Sequence, residues 1–401
     1  MGGNASALAE TTALAAGLQR DLPPSLRPLF DGAFLRSWDL YDEFVYRLAL
    51  GVFRSAGLEA LTRAPGTSAE IVARAGFDPE CAVVPLEWIL HQLAARQLLE
   101  ETTTDAGVRW RGRGEPLPAL DPDPIREEQV ELDRSWLPSY TLAETVARDY
   151  VRFLRGEITG EAVLFSPARF RLWIDYFSNA HGLYSVNNRL AAIAVEEWLP
   201  SAAPAILELG GGLASAACAV LERLEEAGGL RAVREYRFTE LVPAFLRRGQ
   251  QTLQSRFPGL PALQFALLDM NRGFEAQGVP AGSQSVVFAV NTLHVAHDLT
   301  FTLGEILRVL EPGGRLIISE CVRVLPGQSL TPEFIFNLMA TFRSRRPDAP
   351  GQPPAGFLLP AQWRAALEAV GFADVRFLPD VPSWGDRFTR FHVAVIGATR
   401  P

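Results

Sequence analysis

A turn of three glycines is the part of the sequence with the clearest chemical potential. Gly210 to Gly212 follow a short apolar run, Ile206 to Leu209, that is typical of a buried parallel strand. The residues after the turn, Leu213 to Glu226, have the apolar spacing of a helix. Such a turn brings backbone N–H groups and the N-terminus of a helix close to a ligand. The sequence therefore predicts a nucleotide-type crevice at this point of the chain.

Polar side chains follow the later predicted strands. The strands and the residues that follow them are Glu235–Thr239 with Glu240, Leu263–Leu268 with Asp269, Ser285–Val290 with Asn291, and Arg315–Ser319 with Glu320. Because parallel strands place their carboxyl ends at one edge of a sheet, we expect these side chains to form a polar row beside Gly210. Glu240 is placed to accept hydrogen bonds from ribose hydroxyls.

Helices alternate with these strands and must position the crevice. They are predicted at Leu213–Glu226, Thr300–Leu310 and Ala361–Val370. Such alternation predicts an α/β fold with a doubly wound, mostly parallel, Rossmann-like sheet, which we expect to occupy residues 201–401. The last two predicted strands, Phe372–Leu378 and Arg390–Ile396, suit an antiparallel hairpin at the sheet edge.

The N-terminal part of the chain has a different pattern. Helices are predicted at Trp38–Gly57, Thr67–Ala75 and Val83–Gln97, followed by a β-hairpin. This order is that of a winged helix, so residues 1–115 are expected to form a winged-helix-like dimerisation or capping domain, with a homodimer as its consequence. DNA binding is the alternative, but the third helix offers only His91 and Arg96, and the net charge is −8. No nucleic-acid partner is therefore expected.

Residues 116–200 are expected to be a helical connector and lid. They begin with a Pro- and Asp-rich linker and end in a segment dense in aromatic and amide side chains, where Tyr184 and Asn187 are candidates for a lid over the site. A further segment, 331–356, interrupts the alternation of strands and helices and is expected to be an insertion over the site. Its arginines suit a solvated loop, with contact to a phosphate on a substrate carrier as the alternative: Arg343, Arg345 and Arg346.

Composition restricts the class of protein further. The 401 residues, 48% hydrophobic and 21% charged, suit an ordinary globular protein of two domains. Cys81, Cys218 and Cys321 lie far apart and lack metal-ligand spacing, so we predict no metal site and expect reduced thiols in a cytoplasmic protein. No secretory signal or membrane-spanning run is predicted, and therefore no membrane partner.

The glycine turn discriminates between two classes of nucleotide cofactor. A dinucleotide site requires Gly-x-Gly-x-x-Gly, whereas Ser215 stands at the position of the third glycine. An adenosyl sulfonium has no phosphates and needs the glycine backbone with nearby polar groups. Glu208 ahead of the turn, with Glu240 and Asp269 at later strand ends, therefore favours S-adenosylmethionine as the cofactor.

These features resemble a known family. Residues 206–320 resemble the class I S-adenosylmethionine-dependent methyltransferase fold, and the N-terminal half is similar in layout to the winged-helix domain of small-molecule O-methyltransferases. Four segments resemble, more narrowly, the carbon methyltransferases of polyketide synthases: Tyr236–Glu240, Leu267–Met270, Asn291–His294 and Leu310–Glu320.

The resemblance implies roles for individual residues. Gly210 and Gly212 would line the methionine part of the cofactor, and Glu208 would support their loop. Glu240 would hold the ribose hydroxyls. Asp269 would accept from the adenine amino group while Met270 packs on the ring, and Asn291 belongs to the same cofactor-binding set. Ala214 stands where many family members have a third glycine.

His294 is the candidate general base. It follows Asn291 by three residues, so it faces the same crevice, and a histidine is suited to accept a proton at neutral pH. Glu320, after the next strand, could fix the imidazole tautomer, and in the resembled families the matching residues have these roles. The alternative is a structural histidine. His297 is a second candidate, for which capping of the next helix by Asp298 is the simpler account.

The sequence thus predicts a methyltransferase that acts on a small or carrier-protein-bound, polyketide-like intermediate of secondary metabolism. His294 would deprotonate an activated carbon. A hydroxyl of a small molecule is the alternative acceptor. A winged-helix regulator with a degenerate methyltransferase fold is the alternative of another class.

Overall fold

The computed structural model describes residues 17–105, 107–199, 203–260, 263–343, 356–385 and 387–401. The chain forms two compact units. One, here called the helical unit, consists of Gly32–Tyr176 and Ser329–Ser344. The other, here called the sheet unit, consists of Met1–Asp31, Phe177–Gln328 and Arg345–Pro401. In the described ranges, no helix combines the length and apolar character that crossing a membrane requires.

The helical unit consists of helices and one hairpin. Strands β1 (Leu99–Thr104) and β2 (Gly107–Gly112) pair antiparallel, as the sequence predicted. The helix Ser68–Ala75 has Thr67 as its N-cap, and the Thr67 side chain accepts from the Glu70 N–H in the expected capping box. The α-helices of this unit are Gly32–Ser55, Leu58–Leu61, Ser68–Ala75, Pro79–Ala95, Asp123–Leu132, Leu137–Leu154, Gly160–Phe165, Phe170–Tyr176, Glu333–Phe336 and Ala340–Arg343.

The units divide the chain at other positions than the domains expected from the sequence. Residues 123–176 of the expected connector belong to the helical unit, because Asp123–Leu132 and Leu137–Leu154 pack on Gly32–Ser55. Gln129 donates to Ser37 at 3.0 Å in this contact. The winged-helix assignment of residues 1–115 stays a prediction, and its first sixteen residues lie outside the described part.

The described residues of the expected insertion at 331–356 belong to the helical unit as far as Arg343. The residue before this segment, Leu330, is held by the buried Trp88, whose indole N–H donates to the Leu330 carbonyl at 2.9 Å. The Arg343 guanidinium donates to the carbonyls of Asn337 and Leu338 at 2.8 and 2.6 Å, which is a structural use of that arginine. Residues 344–355, with Arg345 and Arg346, lie outside the described residues.

The sheet unit has a seven-stranded sheet of order β5-β4-β3-β6-β7-β9-β8. Its strands are β3 (Ala205–Leu209), β4 (Glu235–Glu240), β5 (Leu263–Leu267), β6 (Gln284–Val290), β7 (Leu310–Cys321), β8 (Ala373–Leu378) and β9 (Val393–Thr399). Neighbouring strands from β5 to β7 are parallel, and β9 pairs antiparallel with both β7 and β8. The predicted α/β fold and the antiparallel pair near the sheet edge are confirmed.

Two central strands, β3 and β6, are buried at every position because helices cover both faces of the sheet. The α-helices of this unit are Gly182–Trp198, Ser215–Glu226, Pro243–Arg256, Leu299–Val309 and Pro360–Ala369. The chain runs outward from β3 through β4 to β5 and then returns to β6 on the other side of β3. This reversal opens a crevice at the carboxyl ends of β3 and β6, where ligands bind in such sheets.

Candidate active site

The glycine turn after β3 needs glycine for space and for conformation. Gly210 and Gly212 have φ values of +62° and +56°, in the left-handed region that favours glycine. A Cβ on Gly211 would lie 2.1 Å from the buried Phe238 ring. Ala214, the departure noted in the sequence, also has a positive φ of +69°, so it occupies a conformation that glycine adopts at lower cost.

Glu240, at the end of β4, contacts this turn directly. Its carboxylate accepts hydrogen bonds from the backbone N–H groups of Gly212 and Val242, both at 2.9 Å. A Cβ on Gly212 would have no neighbour within 4 Å, so open space lies beside the residue that Glu240 holds. Glu240 is 7% exposed, and the remaining lone pairs of its oxygens can accept from the hydroxyls of a ligand.

Glu208 lies beneath the turn. It is buried, and its carboxyl accepts from the Tyr236 hydroxyl at 2.9 Å and from the backbone N–H of Ala217, in the first turn of the following helix. Burial raises the pKa of Glu208 to about 8, and the Tyr236 hydrogen bond only partly offsets this. Glu208 thus joins β3, β4 and the helix N-terminus, which fits the expected support of the loop.

Asp269 and Met270 follow β5, and both are half-buried. Asp269 accepts from the backbone and side-chain N–H groups of Asn271 at 2.9 and 3.1 Å through one oxygen, Oδ1. The Met270 carbonyl accepts from the Thr302 hydroxyl at 3.0 Å, which fixes the loop to the helix that follows β6. The position after β5 suits recognition of the outer part of a nucleotide-like ligand.

Asn291 directly follows β6 and has a positive φ of +49°. Its side-chain oxygen accepts from the Cys321 backbone N–H at 3.3 Å, and its own N–H donates to the Ser319 carbonyl at 2.8 Å. The residue therefore continues the pairing of β6 with β7 and turns the chain at their carboxyl ends. This turn directs the next three residues towards Glu320.

His294 and Glu320 are in direct contact. The His294 Nδ1 atom lies 2.6 Å from Glu320 Oε2. The other oxygen of this carboxylate accepts from the backbone N–H groups of Thr292, Leu293 and His294, at 3.0, 2.9 and 3.3 Å. The His294 side chain is 8% exposed, whereas that of Glu320 is fully buried. The arrangement is a buried carboxylate that orients a nearly buried imidazole.

Tyr184 and Asn187, the lid candidates, lie on the helix Gly182–Trp198 of the sheet unit. Burial and the nearby carboxylates of Glu208 and Glu240 raise the pKa of Tyr184. Asn187 is buried, and the Ser319 hydroxyl donates to its carbonyl at 2.9 Å and to its side-chain oxygen at 3.2 Å.

His297 is outside this arrangement. Its side chain is exposed, and Asp298 caps the next helix by accepting from the Phe301 N–H at 2.9 Å, as predicted. The sequence reasoning missed Phe357, whose ring centroid lies 4.7 Å from that of His294. No signal at Phe357 pointed to the site, because the residue lies far from His294 along the chain.

The donor set suits a cationic ligand without phosphates. Glu240 and Asp269 present carboxylates held by hydrogen bonds from N–H groups, and Gly212 leaves open space beside Glu240. Among the described side chains, no group of three or more His, Cys, Asp or Glu could hold a metal ion. The residues present therefore fit an adenosyl sulfonium.

Residues 207–318 match the family described as the methyltransferase domain. Highly reducing polyketide synthase 2 of Gibberella zeae is 31% identical over 211 residues, which are 51% of this chain and 8% of that protein. Polyketide synthase PksM of Bacillus subtilis is 26% identical over 249 residues, 59% of this chain and 6% of that protein. The chain thus spans less than a tenth of the length of these two relatives.

Solved structures are similar over nearly the whole chain. The CurJ carbon methyltransferase has a TM-score of 0.73 at 21% identity, and the match covers 97% of this chain and 99% of that one. The DszA carbon methyltransferase has a TM-score of 0.71 at 22% identity, over 96% and 95% of the two chains. Residues 207–318 thus resemble a methyltransferase domain, and the fold of the chain is the methyltransferase fold that the sequence predicted.

Proposed function

We propose that the chain transfers a methyl group from S-adenosylmethionine to an activated carbon of a carrier-bound, polyketide-like intermediate. The observation that carries this proposal is the contact between His294 and Glu320, because it supplies an oriented base beside the crevice. The likeness to two carbon methyltransferases and to segments of polyketide synthases supports the choice of acceptor.

Five residues would hold the cofactor. Gly210 and Gly212 would border its methionine part, Glu240 would accept from the ribose hydroxyls, and Asp269 with Met270 would bind the adenine. When bound, S-adenosylmethionine supplies an electrophilic methyl group attached to a sulfonium.

Asn291 and Glu208 would act on the site through the backbone. Asn291 turns the chain that carries His294, and Glu208 fixes the glycine turn from below. Within the expected cofactor-binding set, these two residues would therefore position other groups of the site and would not contact the cofactor themselves.

The base would work through a fixed tautomer. A carboxylate can only accept, so Glu320 requires a proton on His294 Nδ1 and leaves the opposite nitrogen, Nε2, with its lone pair. Nε2 would take a proton from the acceptor carbon, and the electron pair of that C–H bond would remain on the acceptor as an enolate. The enolate carbon would then form the bond to the methyl group as the bond between that methyl group and sulfur breaks, and the electron pair of the broken bond would remain on sulfur, giving the neutral thioether. Glu320 would stabilise the imidazolium while it exists, because the contact is buried and close.

The proposal can be tested with methyl-¹³C-labelled S-adenosylmethionine and a β-ketoacyl thioester on phosphopantetheine or on a carrier protein. We expect a ¹³C signal in the region of a methyl group on carbon, and none with the α,α-dimethyl thioester, which has no hydrogen at the reacting carbon. A signal in the region of a methyl group on oxygen would contradict the proposal and indicate an O-methyltransferase. No transfer to any acceptor, together with a shift of promoter DNA on a gel, would favour the regulator.

A further inference from the structure

An aromatic side chain packs on the proposed base. The Phe357 ring centroid lies 4.7 Å from the His294 ring centroid, with 44° between the ring planes. Phe357 is 3% exposed, so its contact with the imidazole is nearly closed to solvent. Both residues belong to the sheet unit.

Phe357 is held in place by Arg323, which follows β7 closely. The Arg323 backbone N–H donates to the Leu358 carbonyl at 3.0 Å, and its guanidinium Nε donates to the Phe357 carbonyl at 2.7 Å. The same guanidinium donates to the Gln328 carbonyl. Two hydrogen bonds therefore fix the backbone of residues 357 and 358 against the segment that continues from Glu320.

Gln328 forms further hydrogen bonds that stabilise the segment after Glu320. Its side-chain oxygen accepts from the backbone N–H groups of Val324 and Leu325, at 2.9 and 3.1 Å, and its amide donates to the Thr389 carbonyl at 2.6 Å. Residues 357 and 358 thus form hydrogen bonds with a loop, residues 323–328, whose own conformation is stabilised by the side chain of Gln328.

An imidazole needs more than one contact to keep a single orientation. Glu320 holds Nδ1, but rotation about the remaining side-chain torsions would still move Nε2 relative to an acceptor. Packing against an aromatic ring restricts that rotation, and an adjacent ring also favours the cationic form of a neighbouring group.

We propose that Phe357, held by Arg323, is a positioning residue that orients the His294 imidazole for proton abstraction. This inference rests on the proposed function of His294. It assigns to Phe357 no contact with the acceptor itself.

The test compares Phe357→Leu, which keeps an apolar side chain but removes the ring, with Phe357→Tyr, which keeps the ring. We expect Phe357→Leu to lower kcat about 10- to 100-fold with the KM for S-adenosylmethionine unchanged, because misplacing a catalytic group by a small distance costs factors of this size. Phe357→Tyr should restore most of kcat. Arg323→Met should act in the direction of Phe357→Leu.

A second readout does not depend on turnover. In ¹⁵N-histidine-labelled protein, which has five histidines, the ring nitrogens of His294 are assigned with His294→Gln. We expect both proteins to keep the proton on Nδ1, which Glu320 holds, and Phe357→Leu to show displaced or exchange-broadened Nε2 signals, because the ring then takes more than one orientation. Phe372→Leu removes an aromatic ring of similar burial beside β8 and should change neither readout.

Two results would overturn the proposal. One is a kcat of Phe357→Leu within twofold of wild type together with an unchanged His294 spectrum. The other is an equal loss of kcat in Phe372→Leu, which would show a general effect on folding. If wild type transfers no methyl group to any acceptor, the proposed function fails, while the His294 ring-nitrogen spectrum still tests the positioning of His294 by Phe357.

Discussion

The carboxylate of Glu320 binds the ring of His294 and the backbone that leads to it. One oxygen contacts Nδ1 at 2.6 Å, and the other accepts from three successive N–H groups that end with that of His294 itself. A buried carboxylate is stable only when such donors compensate its lost hydration. The residue that would orient the base therefore also fixes the turn after β6, so the fold and the proposed chemistry depend on the same side chain.

Replacement of His294 by alanine should abolish methyl transfer and leave binding of S-adenosylmethionine unchanged. The backbone N–H of residue 294 still reaches Glu320, and the glycine turn and Glu240 are untouched. Turnover by mass spectrometry and the Kd by titration calorimetry measure the two effects. His297→Ala, at an exposed side chain close by, is the matched control and should keep its activity. Surviving turnover in His294→Ala, or lost cofactor binding, would show that the base is assigned wrongly.

Glu320→Gln should impair turnover through the tautomer of His294. The three backbone N–H groups require an oxygen, so the amide NH₂ of glutamine must face Nδ1 and donate to it. The proton of a neutral imidazole then lies on Nε2, which can no longer accept one. We expect kcat to fall about 10²- to 10⁴-fold, the range of a general base.

Glu311→Gln, at the other end of β7, is the control for this substitution and should not change kcat. Steady-state kinetics with both substrates measure the effect. A Glu320→Gln enzyme with kcat within threefold of wild type would contradict the role of Glu320.

Glu240→Ala should weaken the binding of S-adenosylmethionine. The substitution removes the acceptor of the Gly212 and Val242 N–H groups and the acceptor proposed for the ribose. Hydrogen bonds to a charged group contribute about 1.5–3 kcal/mol, so we expect the Kd to rise about 10- to 100-fold in calorimetry. Glu235→Ala, at the start of the same strand and paired with Arg237, should leave the Kd unchanged. Equal affinity in the Glu240 and Glu235 variants would exclude Glu240 from the cofactor site.

Glu208 should make the stability of the protein depend on pH. Its pKa is raised from 4.5 to about 8 in the folded state because the carboxyl is buried. Between these values the unfolded chain is ionised at Glu208 while the folded protein holds the proton, so the free energy of unfolding falls as the pH rises. Glu208 contributes at most about 1.4 kcal/mol per pH unit to the slope of the free energy of unfolding against pH. This contribution of Glu208 to the slope should disappear below pH 4.5 and above about pH 8.

Glu208→Gln is the variant that isolates this effect, because glutamine keeps the size of the side chain and an oxygen that can accept from Tyr236. Urea unfolding of both proteins from pH 5 to pH 9 gives the difference in slope. Parallel pH profiles of the two proteins would mean that Glu208 is not protonated in the fold.

Local pattern predicted most of the sheet unit. The apolar runs of β3 and β6, the glycine turn and the capping of a helix by Asp298 are encoded in neighbouring residues, because burial and turn geometry act over a few positions. Parallel strands place their carboxyl ends together, so the positions of Glu240, Asn291 and Glu320 followed from the strand ends. The contact of His294 with Glu320 could be anticipated in the same way.

Only the tertiary structure decided which side chains surround these positions. Phe357 packs on His294, and Ser319 donates to Asn187, through pairs that are distant in sequence and follow no periodic pattern. The structure also placed Ser329–Ser344 in the helical unit, because burial of Trp88 and Phe334 joins segments that the chain order separates. Sequence periodicity determines which face of an element is buried, but the partner on that face depends on how distant elements pack.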